Sequence, residues 1–172
     1  NYNQELMSRV SDSVEWPNVF FGSFSENFFD LPDFLITTIL SEKQDNFSFK
    51  KKNGELSNFF SFVSNLEKKK KENLIHGNQN VIKARFKDAK FFIEEDNKVK
   101  LSERLKKLSS IVFYNDLGTL LERSVRIQKL CLKISQLLEL DISENINNLL
   151  YSNADLTTEL VREYPSLQGQ VG

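Results

Sequence analysis

The sequence predicts an α+β fold: a mixed module of strands and helices over residues 1–110, followed by an all-helical segment over residues 111–172. In the first part, phenylalanines alternate with polar residues on both sides of Asn53-Gly54, a pair typical of a β-hairpin turn. From Leu101 onward, apolar residues recur at helical spacing. The 172 residues suffice for one domain of ordinary size or for two small ones.

The first part is expected to contain a strand, a short helix and a hairpin. Residues 16–24 (WPNVFFGSF) are rich in aromatic residues, which favours a strand that Pro17 opens. A helix over 33–40 follows Pro32, because proline is well tolerated at the start of a helix. The two arms of the hairpin carry alternating phenylalanines: Phe47, Phe49, Phe60 and Phe62.

The stretch 76–96 is predicted to form an amphipathic helix that starts after a turn at His76, Gly77 and Asn78. Its apolar stripe follows the helical period: Ile82, Phe86, Ala89 and Ile93. Its lysines fall on a separate, solvent-facing strip: Lys83, Lys87 and Lys90. The residues before this helix, 68–73, are predicted to be a charged linker.

Two residues of this stretch do not fit a simple surface helix. Phe91 projects nearly opposite the apolar stripe, so it either packs between layers or faces a partner. Arg85 lies three residues before Asp88, within pairing distance, and is either held in that ion pair or available to a phosphate. The candidates for contact with a phosphate or a protein partner are therefore Lys83, Arg85, Lys87 and Lys90.

The second part is predicted to be helical throughout. The helices are expected over 101–113, 120–140, 144–152 and 154–164. Asp116-Leu117-Gly118 separates the first two, and Ser143 is expected to cap the third at its N-terminus. Pro165 ends the last one, because the residue before a proline is biased away from helical geometry.

Composition excludes several classes of site. One histidine and one cysteine cannot build a zinc cluster or an intramolecular disulfide, and Cys131, in an apolar run, is expected to be a buried apolar residue. No G-x-x-x-x-G-K-[ST] or G-x-G-x-x-G loop is present to cradle a phosphate. No catalytic residue and no metal ligand is therefore predicted, and the acidic run 94–96 is interpreted as a solvated face.

The net charge and the hydropathy argue against a generally basic nucleic-acid-binding protein and against a membrane protein. The net charge of −1 does not indicate a nucleic-acid-binding protein as a whole. Lysines cluster at 50–52 and 68–71, which is typical of solvated loops and compatible with local phosphate contact. No run reaches the roughly 18 apolar residues of a membrane helix, and no signal-type apolar core opens the chain. We expect a cytoplasmic protein without membrane contact, and interpret the chain as a piece of a longer protein.

The second part resembles the layout of an HD domain, whose metal ligands are a histidine on an early helix and a His-Asp pair on a later one. LLERSVRIQKLCLKIS and LLYSNADLTTE carry this likeness. Arg123 stands at the place of the first histidine, and Ala154-Asp155 at the place of His-Asp. A bare aspartate without imidazole ligands cannot hold a catalytic transition metal, so the likeness implies a degenerate domain kept for its shape.

The chain from about Val14 to Gly172 resembles the beta subunit of the bacterial heterotetrameric glycyl-tRNA synthetase. VEWPNVFFGSFSENFFDLPDFLITTIL and GELSNFFSFVSN match the strand, the proline-led helix and a hairpin strand of that family. Its most recognisable segment is matched through Gly77, Asn78, Val81, Arg85, Asp88, Ala89, Phe91, Phe92 and Asp96. LGTLLERSVRI and NADLTTELVREYPSLQGQVG match two further blocks, the latter through residues that include Asp155 and Gly169. Two features depart from the family: Phe86, where leucine is usual, and the basic run 68–71.

This resemblance implies a subunit of a ligase that attaches glycine to its tRNA with ATP. In that family the alpha subunit holds the glycine and ATP site, so ATP and Mg are expected there and no cofactor is expected in this chain. The implied partners are the alpha subunit and tRNA(Gly), in an alpha2-beta2 heterotetramer. The mixed module is expected to be similar to the editing-type module of the phenylalanyl enzyme's beta chain. The matched residues with an expected structural role are Gly77, Asn78, Asp88, Ala89, Phe91, Phe92, Asp155 and Gly169.

Three functions are open on these observations. The first is a non-catalytic part of the synthetase beta subunit that serves tRNA contact or assembly, with the Lys83 to Lys90 cations as its contact residues. The second is an HD-type metal phosphohydrolase, against which the missing histidines argue. The third is a protein-interaction scaffold, which the off-stripe aromatic Phe91 motivates.

Overall fold

The computed structural model describes residues 3–66, 71–142 and 145–171, and it has a mixed α+β architecture rich in helix. The chain divides into two compact units, one up to Lys90 and one from Phe91 onward. The predicted division into domains 1–110 and 111–172 stays a prediction.

The first unit is built on a three-stranded antiparallel sheet with strand order β1-β3-β2. Its elements are α1 (Gln4–Ser13), β1 (Asn18–Ser23), a 3₁₀ turn (Glu26–Asp30), α2 (Asp33–Thr38), a π turn (Ile39–Lys43), β2 (Phe47–Lys50), β3 (Leu56–Ser64) and most of α3 (Lys71–Asn97). The predicted strand, short helix and hairpin are confirmed. Gly54 has a φ of +91° at the hairpin turn, a conformation that glycine adopts without steric cost.

The inner face of the sheet forms the core of the first unit. Phe20 lies opposite Phe62 in the β1–β3 register, with ring centroids 5.5 Å apart, and both side chains are buried. Just beyond β1, Phe24 packs edge-to-face on Phe86 of α3, with centroids 5.0 Å apart. The predicted stripe of α3 is confirmed in this unit, since three of its members are fully buried: Ile82, Phe86 and Ala89.

The first unit also contains a helix that the sequence pattern does not reveal. The Asn3 side-chain oxygen caps α1 by accepting a hydrogen bond from the Leu6 N–H at 3.1 Å. Only Leu6 and Val10 of this helix are buried, which is too short an apolar stripe to give a periodic signal. After α1, the backbone N–H groups of Glu15 and Trp16 donate to Asn65 Oδ1 at 3.1 and 3.0 Å.

Helix α3 is described from Lys71 onward, so the turn predicted at 76–78 and the linker predicted over 71–73 are wrong, whereas residues 68–70 lie outside the described residues. Gly77 is an exposed residue in the helix interior, where glycine costs about 1 kcal/mol relative to alanine. Leu74 and Ile75 are half-buried and extend the packed side of the helix towards its N-terminus. This packing outweighs the weak turn signal of one glycine.

The second unit is mainly helical but includes a small two-stranded sheet. After α3, the described residues of this unit form α4 (Leu101–Leu108), β4 (Val112–Tyr114), β5 (Gly118–Thr119), α5 (Leu120–Leu137), α6 (Glu159–Glu163) and 3₁₀ turns at Ile146–Tyr151, Ala154–Thr157 and Pro165–Leu167. Strands β4 and β5 are antiparallel, with Val112 opposite Thr119. The predictions of an all-helical segment after residue 110 and of one helix over 101–113 are therefore wrong.

Local chemistry explains why α4 stops early. The hydroxyls of Ser109 and Ser110 donate to the carbonyl oxygens of Lys106 (2.6 Å) and Lys107 (2.7 Å), which satisfies carbonyls at the end of the helix. The next residues, Ile-Val-Phe-Tyr over 111–114, are β-branched or aromatic and favour a strand.

Three further expectations concern the end of the chain. The helix predicted over 154–164 is divided by Thr158, whose hydroxyl accepts from the Val161 N–H at 3.1 Å and caps α6. The predicted N-cap, Ser143, lies outside the described residues. Cys131 is half-buried on α5, and not fully buried as expected.

Candidate functional site

Helix α3 presents the four predicted contact cations on its solvent side. Lys83, Arg85, Lys87 and Lys90 are all exposed. The buried stripe holds the other side of the helix in the core of the first unit, so that these cations project away from the packed residues. Their role in contact with RNA or a partner stays a prediction.

Two of these cations are engaged in surface ion pairs. Lys90 Nζ lies 3.1 Å from Asp30 Oδ2, and Arg85 Nη1 lies 4.0 Å from Asp88 Oδ2. Pairs as exposed as these contribute about 0–1 kcal/mol, so a phosphate could replace either carboxylate at small cost. Lys83 and Lys87 make no ion pair with any residue in the described ranges, and they are the cations of this strip most available to an anion.

The residues at the start of the recognisable segment have mainly structural contacts. Asn78 Oδ1 accepts a hydrogen bond from Asn46 Nδ2 at 3.1 Å, and Asn46 is completely buried. Gln79 Nε2 donates to the backbone oxygen of Ser23 at 2.9 Å, which ties α3 to the end of β1. Gly77 is exposed, and a Cβ added there would meet nothing within 4 Å.

The motif residues Ala89, Phe91 and Phe92 differ in how far they are buried. Ala89 is fully buried and Phe92 is half-buried, whereas Phe91 is 55% exposed. The rings of Phe91 and Phe92 are 6.1 Å apart, centroid to centroid. Phe91 is therefore not packed between layers within the described chain, and the alternative, that it faces a partner, stays a prediction.

A buried ion pair organises the second unit, and sequence reasoning missed it. Arg104 Nη2 lies 3.0 Å from Asp96 Oδ1, and their side chains are only 5% and 12% exposed. Arg104 also donates to the carbonyl oxygens of Asp96 (2.6 Å) and Thr157 (2.9 Å). The prediction that the acidic run 94–96 is a solvated face is wrong for its last member, because the Asp96 side chain is only 12% exposed and is paired with Arg104.

Asp96 has a second role in the same cluster. Its Oδ1 accepts from the Glu159 N–H at 2.9 Å and its Oδ2 from the Leu160 N–H at 3.0 Å. A carboxylate that accepts from the first N–H groups of a helix satisfies donors that have no partner within the helix. Asp96 therefore links the end of α3 to the start of α6, and this motif residue has a structural role.

Asp155 and Arg123, the residues that carry the HD likeness, are also held by local contacts. Asp155 is 2% exposed, and its Oδ2 accepts from the Gly169 N–H at 2.5 Å. The Arg123 guanidinium lies over the ring of Phe113, 4.8 Å from its centroid. The hydrogen bond between Asp155 and Gly169 closes the C-terminal turn, and this gives both motif residues a structural role.

The described residues offer few groups suited to metal binding or acid–base chemistry. Within residues 3–66, 71–142 and 145–171, no three His, Cys, Asp or Glu side chains are grouped so that they could hold a metal ion. The His76 ring nitrogen Nδ1 lies 3.2 Å from Asn80 Nδ2, one helical turn on. In the same described ranges, no helix combines the length and apolarity needed to cross a membrane.

Comparison with known proteins gives a consistent assignment along the whole chain. The family model described as glycyl-tRNA synthetase beta subunit matches residues 1–172. The glycine–tRNA ligase beta subunits of Coxiella burnetii and Pseudoalteromonas atlantica are each 38% identical to the chain over 170 residues, covering 99% of it and 25% of the relative. That of Buchnera aphidicola is 36% identical with the same coverage. The chain thus spans about a quarter of the length of the curated relatives it matches.

Proposed function

The chain belongs to the glycyl-tRNA synthetase beta-subunit family, and from this premise we propose that it is a non-catalytic part of a glycine–tRNA ligase beta subunit. In this proposal it contributes to tRNA binding or subunit assembly during the ATP-dependent attachment of glycine to tRNA. The observation that carries the RNA role is the strip on α3 where Lys83 and Lys87 are exposed, without an ion pair among the described residues. The opposite side of α3 is anchored by a fully buried stripe, so the strip sits on a rigid support.

The partners of the parent protein follow from the same proposal. The names of the relatives, as beta subunits of glycine–tRNA ligases, support an alpha subunit and tRNA(Gly) as partners. We propose an alpha2-beta2 heterotetramer for the parent enzyme. ATP and Mg would then act on the alpha subunit, and the enzyme would be cytoplasmic. This part of the chain would supply surface and shape to the ligase, and no reacting group.

The proposal also covers two structural relationships, one for the mixed module and one for the helical part. We propose that the mixed module is related to the editing-type module of the phenylalanyl enzyme, and that the helical part is a degenerate HD-like domain. The second likeness is supported by the way Asp155 is used: its buried carboxylate accepts from the Gly169 N–H, as expected of a structural residue. The same bond argues against an HD-type phosphohydrolase, the alternative activity.

A protein-interaction scaffold is the second candidate function. It is favoured by Phe91, whose ring is 55% exposed at a position of the family motif. Contact with RNA and contact with a protein partner can coexist in one subunit.

The RNA role can be tested in the parent ligase assembled from its alpha and beta subunits. We expect the double variant Lys83→Ala/Lys87→Ala to bind a glycine tRNA more weakly, because each lysine that neutralises a phosphate releases counterions. The slope of log K against log salt should fall by about 1 per lysine, as measured by filter binding over a salt series.

The matched control is Lys106→Ala/Lys107→Ala, which removes two exposed lysines of α4 and the same net charge. It should leave the affinity and the salt slope close to those of the unmodified enzyme. If both double variants behave alike, the effect is one of net charge and the strip has no specific RNA contact. An unchanged affinity in the α3 variant, with normal assembly with alpha, removes the RNA role altogether.

A further inference from the structure

The outer face of the three-stranded sheet is unusually aromatic for a solvent-facing surface. Phe21, Phe49 and Phe59 are 60%, 36% and 55% exposed. Phe21 and Ser61 are register partners, and Phe21 and Phe49 approach from the two edge strands to stack with centroids 6.1 Å apart and planes 29° apart. Together these three rings form a platform of exposed π faces, here called the aromatic platform.

A groove adjoins the aromatic platform where α1 faces the sheet. Its volume is about 950 Å³, and its apolar walls include Leu6, Val10, Val19, Phe47 and Phe49. Ligand sites in proteins span roughly 300–1,000 Å³ and combine apolar walls with a few polar groups. The groove is therefore large enough for more than one planar ring.

One polar group among the lining residues lacks a partner. Asn46 belongs to the lining of the groove and is 0% exposed. Its Nδ2 donates to Asn78, but its Oδ1 has no hydrogen-bond partner among the described residues. This oxygen is closed off from solvent, so a molecule in the groove could reach it only if the Asn46 side chain moved.

Cations lie at both sides of the aromatic platform. Lys50 is part of the groove lining, and Lys71 lines a depression of about 210 Å³ with Val19 and Phe21 at the outer edge of β1. Lys50 makes no ion pair with any residue that the structure describes, whereas its neighbour Lys51 pairs with Glu55 at 3.4 Å. The platform thus has π faces in its middle and positive charge at its margins.

We propose that this face binds single-stranded RNA, with bases stacked on the aromatic platform and phosphates at Lys50 and Lys71. Single-stranded nucleic acid is recognised in this way by aromatic rings on open sheets with basic margins, because every base has a π face. The proposal rests on the tRNA role proposed above, but it assigns a second surface that does not include the α3 strip.

A protein partner fits the same surface less well. An amphipathic helix would cover the apolar walls, but its apolar side offers no counter-charge to Lys50 and Lys71. A nucleotide supplies the ring and the anion together. Replacing these phenylalanines by leucine separates the two kinds of partner. Leucine keeps an apolar surface for a protein but removes the ring on which a base would stack.

The test uses the parent ligase with its alpha and beta subunits and a fluorescein-labelled single-stranded RNA of about eight nucleotides, within the roughly 4–16 that one such module covers. Fluorescence anisotropy gives the affinity. The variant Phe21→Leu/Phe59→Leu should bind the RNA at least about tenfold more weakly, since each lost base–aromatic stack is expected to cost about that factor or more. Both rings are exposed, so the fold should tolerate leucine.

Two further variants make the result specific. Phe113→Leu is the matched control: the same substitution at a ring that is 41% exposed but lies on β4, outside the aromatic platform, where it should leave the affinity unchanged. Phe21→Trp/Phe59→Trp keeps the π faces and should bind at least as tightly as the unmodified enzyme. Unchanged RNA affinity in the leucine variant would overturn the proposal. So would equal affinity of the leucine and tryptophan variants combined with weaker binding by Phe21→Ser/Phe59→Ser, which would indicate an apolar protein contact instead.

The two proposals fail in distinguishable ways. If the leucine variant has no effect on the short RNA while Lys83→Ala/Lys87→Ala still weakens tRNA binding, only the aromatic platform is disproved. If the lysine variant has no effect on tRNA while the leucine variant weakens the short RNA, the α3 strip is disproved and the platform stands.

Discussion

At the scale of single residues, the Asp96–Arg104 pair shows how a charged residue can be structural. Burying two opposite charges costs desolvation free energy. Their mutual attraction offsets this cost only when further hydrogen bonds satisfy both groups. Here Arg104 bonds the carbonyl oxygens of Asp96 and Thr157, and the Asp96 carboxylate also caps α6. Removing one partner would leave the other charge buried and alone.

We therefore expect Asp96→Ala to destabilise the chain by about 3–5 kcal/mol, the usual cost of breaking a buried pair. Urea unfolding followed by circular dichroism measures this. The control is Arg162→Ala, which breaks the Arg162–Glu159 pair whose side chains are 78% and 53% exposed and should cost under about 1 kcal/mol. Equal losses in the two variants would show that burial of Asp96 contributes nothing.

Glycines give a second prediction at this scale, with opposite signs at two positions. A Cβ on Gly22 would lie 2.5 Å from Cζ of Phe60, a fully buried ring, so Gly22→Ala should cost about 1–3 kcal/mol through overpacking. Gly77→Ala, in the open interior of α3, should instead stabilise the chain by about 0.5–1 kcal/mol. Thermal unfolding of both variants checks the signs. A loss of stability in Gly77→Ala would mean that this motif glycine has a structural role that the packing of α3 does not reveal.

At the scale of elements, the start of α5 is fixed by a capping box. The Thr119 hydroxyl accepts from the Glu122 N–H at 3.3 Å, and the Glu122 carboxylate accepts from the Thr119 N–H at 2.7 Å. This backbone N–H, followed by the Thr119 hydroxyl, holds the pKa of the Glu122 carboxyl below its ordinary value of 4.5. The charged form is the one that caps the helix.

The pH dependence of this cap has a definite sign. Because the pKa of Glu122 is lowered in the folded chain, its contribution to stability is fully present above the carboxyl's unfolded pKa and is lost as pH falls through the folded pKa. The stability difference between the unmodified chain and Glu122→Ala should therefore be present at neutral pH and vanish in strong acid. Urea unfolding over a pH series measures it, and Glu122→Gln, which keeps an oxygen acceptor but does not titrate, should remove the pH dependence while losing less stability.

The same scale shows which elements could be predicted from the sequence. The hairpin was predictable because Asn53-Gly54 specifies its turn chemistry, and the core stripe of α3 because its period is helical. Helix α1 buries too few residues for a periodic signal, and the continuity of α3 through Gly77 depends on the packing of Leu74 and Ile75. The β4–β5 pair is so short that the neighbouring helical patterns masked it.

At the scale of the whole molecule, the candidate site was predictable only in part. The lysine strip follows from helical geometry, and its exposure agrees with that expectation. The aromatic platform depends on which strands become neighbours, because Phe21 and Phe49 are distant in sequence and meet only across β3. The burial of Arg104 also depends on tertiary contacts, since an arginine on a short amphipathic helix is normally solvated. Family membership was the most secure inference, because several ordered blocks constrain it together.

The position of Trp16 gives the chain a native optical signal. It is the one tryptophan of the sequence, it is 75% exposed, and it directly precedes Pro17, which lines the groove beside the aromatic platform. Since its indole already contacts water in the folded chain, unfolding should shift its fluorescence little. A molecule laid across the groove would shield the indole and move its emission to shorter wavelengths, so intrinsic fluorescence would distinguish occupation of this face from loss of structure without any attached label.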